Sequence, residues 1–424
     1  MKTLVLNCGS SSLKYQLIDT ANDTLIAKGL VEKIGTSKAL FIYKPHDKPE
    51  FRDVLEVKDH AVALQSVLKA ISDPVRGVIR TPSEIEAIGH RVVHGGEEYS
   101  ASVVIDDQVI SKIKACIAFA PLHNPPNLMG IEACRKVMPE VPQVAVFDTA
   151  FHQKMPKQAF LYALPYSMYE KHGIRRYGFH GTSHAYVVQK AAEMLGKDYR
   201  KNFKAITCHL GNGASMAAIK DGVSVDTSMG FTPLEGLVMG TRCGDLDPAI
   251  IPYIMQKEEL GASEVESILN KQSGLKGICR TSNDMREIRE EAEGGSALHQ
   301  LAIDVFCYRV KKYIGAYTAV LNGVDAIIFT GGIGENDVKM RAQTLEGLEA
   351  LGIVCSPELN TKGEAGVIST GKVKVMIVPT DEEMAIAMQT RDILQQKIEK
   401  VRKERDRKAV VEQLAAVSGP QRTQ

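Results

Sequence analysis

The sequence predicts an α/β protein of two domains, with mixed sheets flanked by helices and a cleft between the halves. Three observations carry this. A chain of 424 residues exceeds what one ordinary core holds, so two domains of roughly 150–200 residues are expected. A strand, a turn of small polar residues and a second strand occur at residue 3 and return near residue 205. Short apolar runs elsewhere break at glycine or proline into helix starts.

Thr3 to Asn7 reads as a buried strand, Cys8-Gly9-Ser10-Ser11-Ser12 as its turn, and Leu13 to Asp19 as the returning strand. The same grammar is repeated by Ala205 to Leu210, then Gly211-Asn212-Gly213-Ala214-Ser215, then Met216 to Ile219. Units that recur at such a distance suggest duplicated domains facing one cleft. Between them, His60–Ser72 places Leu64, Val67, Leu68 and Ile71 on one helical face. Asp325 to Thr330 is a short apolar strand running into the glycine turn and helix start Gly331 to Asn336. Lys374 to Pro379 is another, with Asp381-Glu382-Glu383 opening the last helix. That helix carries Met384, Ala387, Met388, Leu394, Ile398 and Val401 at helical spacing. The charged run Arg402 to Lys408 reads as a solvated helix face. Residues 401–424 are expected to form a partly disordered tail, frayed from Ser418 to Gln424.

Composition excludes several functions. Lys+Arg 52 against Asp+Glu 51 leaves a formal charge of +1, with no basic excess to hold nucleic acid or an anionic membrane. An anionic ligand must therefore meet a local site. The first residues have no long apolar segment of a signal peptide, and no stretch of eighteen apolar residues follows, so a cytoplasmic protein is expected. Eight cysteines without a C-x-x-C pair read as reduced, mostly packed thiols.

Five segments carry chemistry, each with an ordinary alternative. Asn7 to Lys14 offers small residues, three hydroxyls and a lysine suited to a phosphate, or is simply a serine-rich hairpin. No Walker loop occurs in the chain. Arg91 stands in the apolar run Ile88 to Gly96 and needs an anionic partner, either a structural carboxylate or a substrate carboxylate. Asp148 follows an apolar strand, as a ligand-binding group or a helix N-cap. His180 and His184 are four apart, a spacing that can bind metal, but without the glutamate of a zinc-protease motif. His180 is better suited to donate a hydrogen bond to a reacting anion. Arg242 lies between glycines in Met239 to Pro248, free to reach a phosphoryl group or to pair with a nearby acid.

Nine segments, in order, resemble those of the acetate kinase family: LVLNCGSSSLKYQL, GHRVVHGG, PLHNPPN, FDTAFH, RRYGFHGTSH, HLGNGAS, DTSMGFTPLEGLVMGTRCGDLDP, FTGGIGEN and PTDEE. The resemblance spans roughly residues 1–395. It implies two actin-like (ribonuclease H-like) halves: residues 1–148 completed by a helix at about 384–400, and residues 149–383 as the nucleotide-binding half. It implies a homodimer, and Mg²⁺, which Mn²⁺ can replace, held by Asn7 and Glu382, with Glu383 the neighbouring alternative. ATP as co-substrate would be surrounded by Lys14, by His209, Leu210, Gly211, Asn212 and Gly213, by Asp284, Met285 and Arg286, and by Gly332, Ile333, Gly334, Glu335 and Asn336. Arg91 would hold acetate, with Val93, Leu122, Phe179 and Pro233 around its methyl group. Asp148, His180 and Arg242 would be the catalytic groups. The expected reaction is acetate plus ATP giving acetyl phosphate plus ADP. Propionate or butyrate kinase activity is the alternative within the class. An ATP-gated binding protein of the actin or chaperone type is the alternative outside it, though one with no use for Arg91 beside an apolar pocket.

Overall fold

The computed structural model describes residues 1–417, and within them lie two mixed sheets. The first is built from β1 (Lys2–Gly9), β2 (Ser12–Asp19), β3 (Thr24–Glu32), β4 (Thr36–Pro45), β5 (Phe51–Val57), β6 (Ala87–Val92), β7 (Val103–Val104) and β8 (Gln143–Phe147). The second is built from β9 (Lys204–Leu210), β10 (Ala214–Lys220), β11 (Val223–Thr227), β12 (Ala326–Thr330), β13 (Gly366–Val367) and β14 (Lys374–Ile377).

The strand orders repeat. The first sheet runs β5-β4-β3-β2-β1-β6-β8-β7 and the second β11-β10-β9-β12-β14-β13. From β3 to β7 and from β11 to β13 the neighbours also match in direction: two antiparallel pairs, two parallel pairs, then an antiparallel edge. The repeated hairpin grammar of the sequence is therefore a repeat of the fold, and β4 and β5 are an addition to the first half alone. Both hairpins close tightly, Gly9 opposite Ser12 across a two-residue tip and Leu210 opposite Ala214 across Gly211-Asn212-Gly213.

Helices cover both faces of each sheet, which is why the inner parallel strands read as unbroken apolar runs. The helices His60–Ile71 and Asn124–Val137 cover one face of the first sheet, with Leu64, Val67, Leu68, Ile71 and Cys134 in a core with Leu4, Leu6 and Tyr15. Asp59 caps the first of these by accepting from Val62 N. Ile303, Phe306 and Val310 of the Ala297–Val320 helix pack on Ile206, Met216 and Phe329 of the second sheet.

Two further helices change sides. The Gly181–Met194 helix follows β8 but packs Val187, Val188 and Ala191 on Ala205, Ala217 and Ile328 of the second sheet. The Glu382–Val417 helix follows β14 but packs Met384, Ile386, Ala387 and Leu394 on Val5, Ala87, Val144 and Val146 of the first. Asp381 caps its start by accepting from Met384 N at 2.9 Å. The chain thus crosses between the sheets near Asp148 and again near Asp381. The charged run after Lys400 continues this helix with Val401 and Val410 exposed, and the expected fraying from Ser418 onward lies outside the described residues.

Candidate active site

The C-terminal ends of the equivalent parallel strands β1, β6 and β8, and β9, β12 and β14, point into one region, as strand ends do where α/β proteins bind ligands. Arg91 and Val93 lie at the end of β6, Asp148 directly after β8, and Glu382 just after β14. Sequence pattern placed these residues one at a time. The duplicated topology gathers them.

Arg91 has the structural partner that its apolar surroundings demand. Its Nε donates to both oxygens of Asp148, at 3.1 and 3.2 Å, and its Nη2 to Asp148 Oδ2 at 2.7 Å. Asp148 is 1% exposed and the Arg91 side chain 24%, so one edge of the guanidinium is fixed inside the protein. The Asp148 carboxylate raises the Arg91 pKa, with Glu382 adding to it, and the group stays charged. The end of the fork, Nη1 with the second Nη2 proton, is the edge a substrate carboxylate would meet. Backbone bonds hold Asp148 from both halves: its N–H donates to Val92 O at 2.9 Å, and its carbonyl accepts from Gly181 N at 2.9 Å.

His180 adopts a left-handed conformation, φ +57°, immediately before the Gly181–Met194 helix. Non-glycine residues pay for this geometry and keep it where the surroundings over-determine it. Here Nδ1 lies 2.8 Å from Ser215 Oγ and the ring stacks on His209 at 4.3 Å. Ser215 Oγ also lies 2.8 Å from His184 Nε2, and His184 Nδ1 lies 2.7 Å from Thr207 Oγ1. In the orientation that suits an anion, Thr207 donates to His184, His184 to Ser215, and Ser215 to His180 Nδ1, leaving the proton on His180 Nε2. Burial pushes the His180 and His184 pKa values well down and that of His209 to about 4, so these rings are neutral donors and acceptors.

Arg242 does not form the surface salt bridge its acidic neighbours suggested. Its Nη1 donates to Pro233 O at 3.1 Å, while Asp245 pairs with Arg309 at 3.1 Å and accepts from Tyr313 OH at 2.9 Å. Burial lowers the Arg242 pKa, a sign of a cation short of a counter-charge. A Cβ built on Gly213 would lie 3.5 Å from His180 Nε2 and 3.7 Å from Arg242 Nη1, so these groups converge on the β9–β10 tip.

On the other side of that tip lies a cavity of about 800 Å³. Gly211, Asn212, Asp284, Met285, Arg286, Gly332, Ile333 and Asn336 line it. Gly331, at φ +77°, makes the left-handed turn that lets the short Gly331–Asn336 helix start against β9. Asn212 is braced by Gly240 N donating to its carbonyl at 2.9 Å and by Asn283 Nδ2 donating to its Oδ1 at 2.8 Å.

The model of the acetokinase family matches residues 2–388. The acetate kinase of Clostridium botulinum (strain Kyoto / Type A2) is 55% identical over 398 residues, 93% of this chain and 99% of that protein. The crystal structure of Porphyromonas gingivalis acetate kinase superposes with a TM-score of 0.89 at 46% identity, covering 93% of this chain and 99% of that one. A propionate kinase from Francisella tularensis subsp. tularensis SCHU S4 superposes with a TM-score of 0.87 at 44% identity, covering 92% and 99%.

The chain belongs to the acetokinase family.

Several residues that the family resemblance assigned to ATP do not line the cavity of this acetokinase-family chain. Glu335 turns inward, its Oε1 accepting from Gly331 N at 2.8 Å and Thr380 N at 3.2 Å, so it caps a helix start and links it to the crossing near Asp381. Leu210 is fully buried in the core, and the Gly334 carbonyl accepts from Arg341 Nη1 at 2.8 Å. His209 lies behind His180, its Nδ1 2.8 Å from Ser183 Oγ. Lys14 is exposed and borders a separate groove with Glu383 and Lys28. Of the apolar set, Val93 and Phe179 are buried together, Pro233 is half-buried and Leu122 is exposed. Arg289, Glu290, Glu293, Asp337, Val338 and Lys339 line the cavity without having been expected. The first three continue the helical face begun by Arg286, so extending the period of the Met285–Glu293 helix would have found them. His123, at the start of the Asn124–Val137 helix, was also unassigned. Burial lowers its pKa, and the charges of Arg242 and Arg91 add to that.

Proposed function

We propose that this chain is an acetate kinase, transferring the γ-phosphoryl group of ATP to acetate to give acetyl phosphate and ADP, in a reversible reaction. The observation that carries the reading is the β9–β10 tip: Gly211 and Asn212 face the cavity, while Gly213 faces His180 and Arg242. A nucleotide held on one side of three residues would present its terminal phosphate to the cationic and N–H groups on the other. A carboxylate oxygen, already anionic at neutral pH, attacks phosphorus without a general base. The transition state then spreads charge over three equatorial oxygens, which positioned donors stabilise. In this reading Arg91 orients acetate, Asp148 fixes Arg91, and His180 Nε2 and Arg242 hold the moving phosphoryl group.

The donor set suits magnesium. No group of three or more His, Cys, Asp and Glu side chains capable of holding a metal occurs among the described residues. Magnesium takes few protein oxygens, filling its octahedron with water and phosphate. Glu382 is an oxygen donor whose pKa is raised by burial and by Asp148, and a divalent cation would relieve that crowding. Asn7 and Glu382 would hold Mg²⁺, which would neutralise charge on the ATP phosphates. Glu382→Ala is expected to raise the Mg²⁺ concentration for half-maximal activity about tenfold or more, and Glu383→Ala to do less. An unchanged magnesium titration removes Glu382 from the site.

Within the class, the solved propionate kinase of similar fold keeps the longer acid open as a substrate. Val93 is buried beside Phe179 in the apolar cluster, and its γ-methyls occupy space that an extra methylene needs. Val93→Ala is expected to raise kcat/KM for propionate relative to acetate by about 5–50-fold, within the range one methylene allows. The test is acyl-phosphate trapping with hydroxylamine across acetate, propionate and butyrate, in wild type and variant. A fixed ratio removes Val93 as the pocket wall. A wild type preferring propionate overturns acetate and leaves the short-chain carboxylate kinase.

The division into halves 1–148 plus about 384–400, and 149–383, is supported by the two sheets and the crossed helices. A homodimer is supported by the Ile250–Lys257 helix, which buries none of its residues and exposes Ile250 and Tyr253 near 42% and 61%; a second copy would cover them. A cytoplasmic location is supported by eight unpaired cysteines. Among the described residues no helix is long and apolar enough to cross a membrane.

A further inference from the structure

Asn127 lies in the first turn of the Asn124–Val137 helix and is 3% exposed. Its Oδ1 accepts from Val93 N at 3.1 Å and its Nδ2 donates to Cys8 O at 3.1 Å. Val93 stands two residues after Arg91, and Cys8 directly follows Asn7. β1 and β6 are parallel neighbours, but their ladder pairs Thr3–Leu6 with Ala87–His90 and ends there. The residues proposed to bind carboxylate and metal lie just beyond it. The amide of Asn127 supplies one more rung at that point, using its acceptor for one strand and its donor for the other.

The surrounding contacts support a built connection. Asn124, in the same turn, accepts from His94 N at 3.1 Å and donates to His94 O at 3.0 Å. Gly130 lets the helix come close, since a Cβ there would stand 2.3 Å from Cys8 Sγ. His60, from the neighbouring helix, places Nε2 2.9 Å from Gly9 O. Successive carbonyls of the β1–β2 hairpin are therefore held from behind by buried side chains, and one of those side chains also holds the pocket strand.

We infer that Asn127 is a positioning residue that fixes the carboxylate pocket at Val93 against the phosphate-and-metal hairpin at Asn7–Cys8, so that the two subsites keep one register. The inference rests on the proposed kinase reading. Asn127→Asp keeps an acceptor for Val93 N but sets an oxygen against Cys8 O. Asn127→Leu removes both bonds at similar volume.

The experiment measures initial rates of the full-length enzyme over acetate, MgATP and Mg²⁺, with thermal melting alongside. For Asn127→Asp the MgATP KM and the Mg²⁺ requirement should rise about tenfold or more, while the acetate KM moves less than about threefold. For Asn127→Leu both KM values should rise and kcat should fall about 10²-fold, the scale of a small misplacement of reacting groups. If Asn127→Leu does not fold, the split in the Asp variant decides. An Asp variant with wild-type kinetics, or with both KM values moving equally, overturns the positioning role, whatever its melting temperature. A wild type without acetate-dependent phosphoryl transfer overturns the kinase reading first, and this inference with it.

Discussion

Arg242→Ala and His180→Ala are each expected to lower kcat by about 10²–10³-fold, the usual cost of losing a donor aimed at developing charge. The acetate and MgATP KM values should move less than about threefold, because groups that act on the transition state add little to ground-state binding. Arg242 is half-buried. Burial disfavours its charge, its guanidinium donates to the neutral Pro233 carbonyl at 3.1 Å and Met239 Sδ at 3.8 Å, and the neighbouring acid Asp245 is committed to Arg309. A charged phosphoryl group arriving beside Gly213 would supply the missing counter-charge. His180 differs in kind. Its burial keeps it neutral, so its contribution is an N–H fixed by Ser215 and by stacking on His209. His180→Gln should therefore recover part of the loss, whereas Arg242→Gln should recover little. Acting on one charge, the two substitutions combined should cost less than the product of the single effects. Steady-state rates over both substrates check all of this. A wild-type kcat with raised KM would mean that either group binds the ground state equally well.

Arg91→Ala should cost about 2–4 kcal/mol in acetate kcat/KM, roughly 30- to 900-fold, carried mainly by KM, with the MgATP KM little changed. Part of that loss comes from the carboxylate left behind. Asp148 is 1% exposed and has three contacts to Arg91, so the variant buries a carboxylate without its cation. Asp148→Asn separates the two effects. It keeps a polar group at the Arg91 edge but removes the charge, and should raise the acetate KM less than the loss of Arg91 itself does. Arg91→Lys should fare poorly, because a point charge cannot serve Asp148 along one edge and a substrate along the other. A collapse of ATP binding in Arg91→Ala with an unmoved acetate KM would show that the substrate assignments are reversed.

The residues whose roles follow from local chemistry were legible early. An arginine in the apolar run Ile88 to Gly96 must find an anion, and an aspartate at the end of Val144-Ala145-Val146-Phe147 stands where a strand stops. That the two find each other is a fact of β6 lying parallel to β8, with Arg91 opposite Val146. The repeated hairpin was visible in the small-residue turns after residues 7 and 210, but the match of six strands in order and direction needed the sheets. The side chains whose direction the sequence did not reveal are those whose direction depends on packing. Glu335 reads like a phosphate-loop residue, yet it turns back to cap Gly331 N, because a buried helix start leaves N–H groups that require an acceptor. Lys14 alternates outward on β2, as strand period dictates, toward Lys28 and Glu383.

By itself the sequence determined the fold class, the duplication, the family and the residue types that the chemistry needs, because hydrophobic period and turn composition are local properties that neighbours in the chain encode. The tertiary structure decided which of those residues share a site. The two helices that cross between the sheets bring the ends of β8 and β14 together, and a side-chain amide on a third helix joins β1 to β6 beyond their last rung. These contacts link residues up to hundreds of positions apart, and their partners are fixed by how the sheets pack. No spacing along the chain records them.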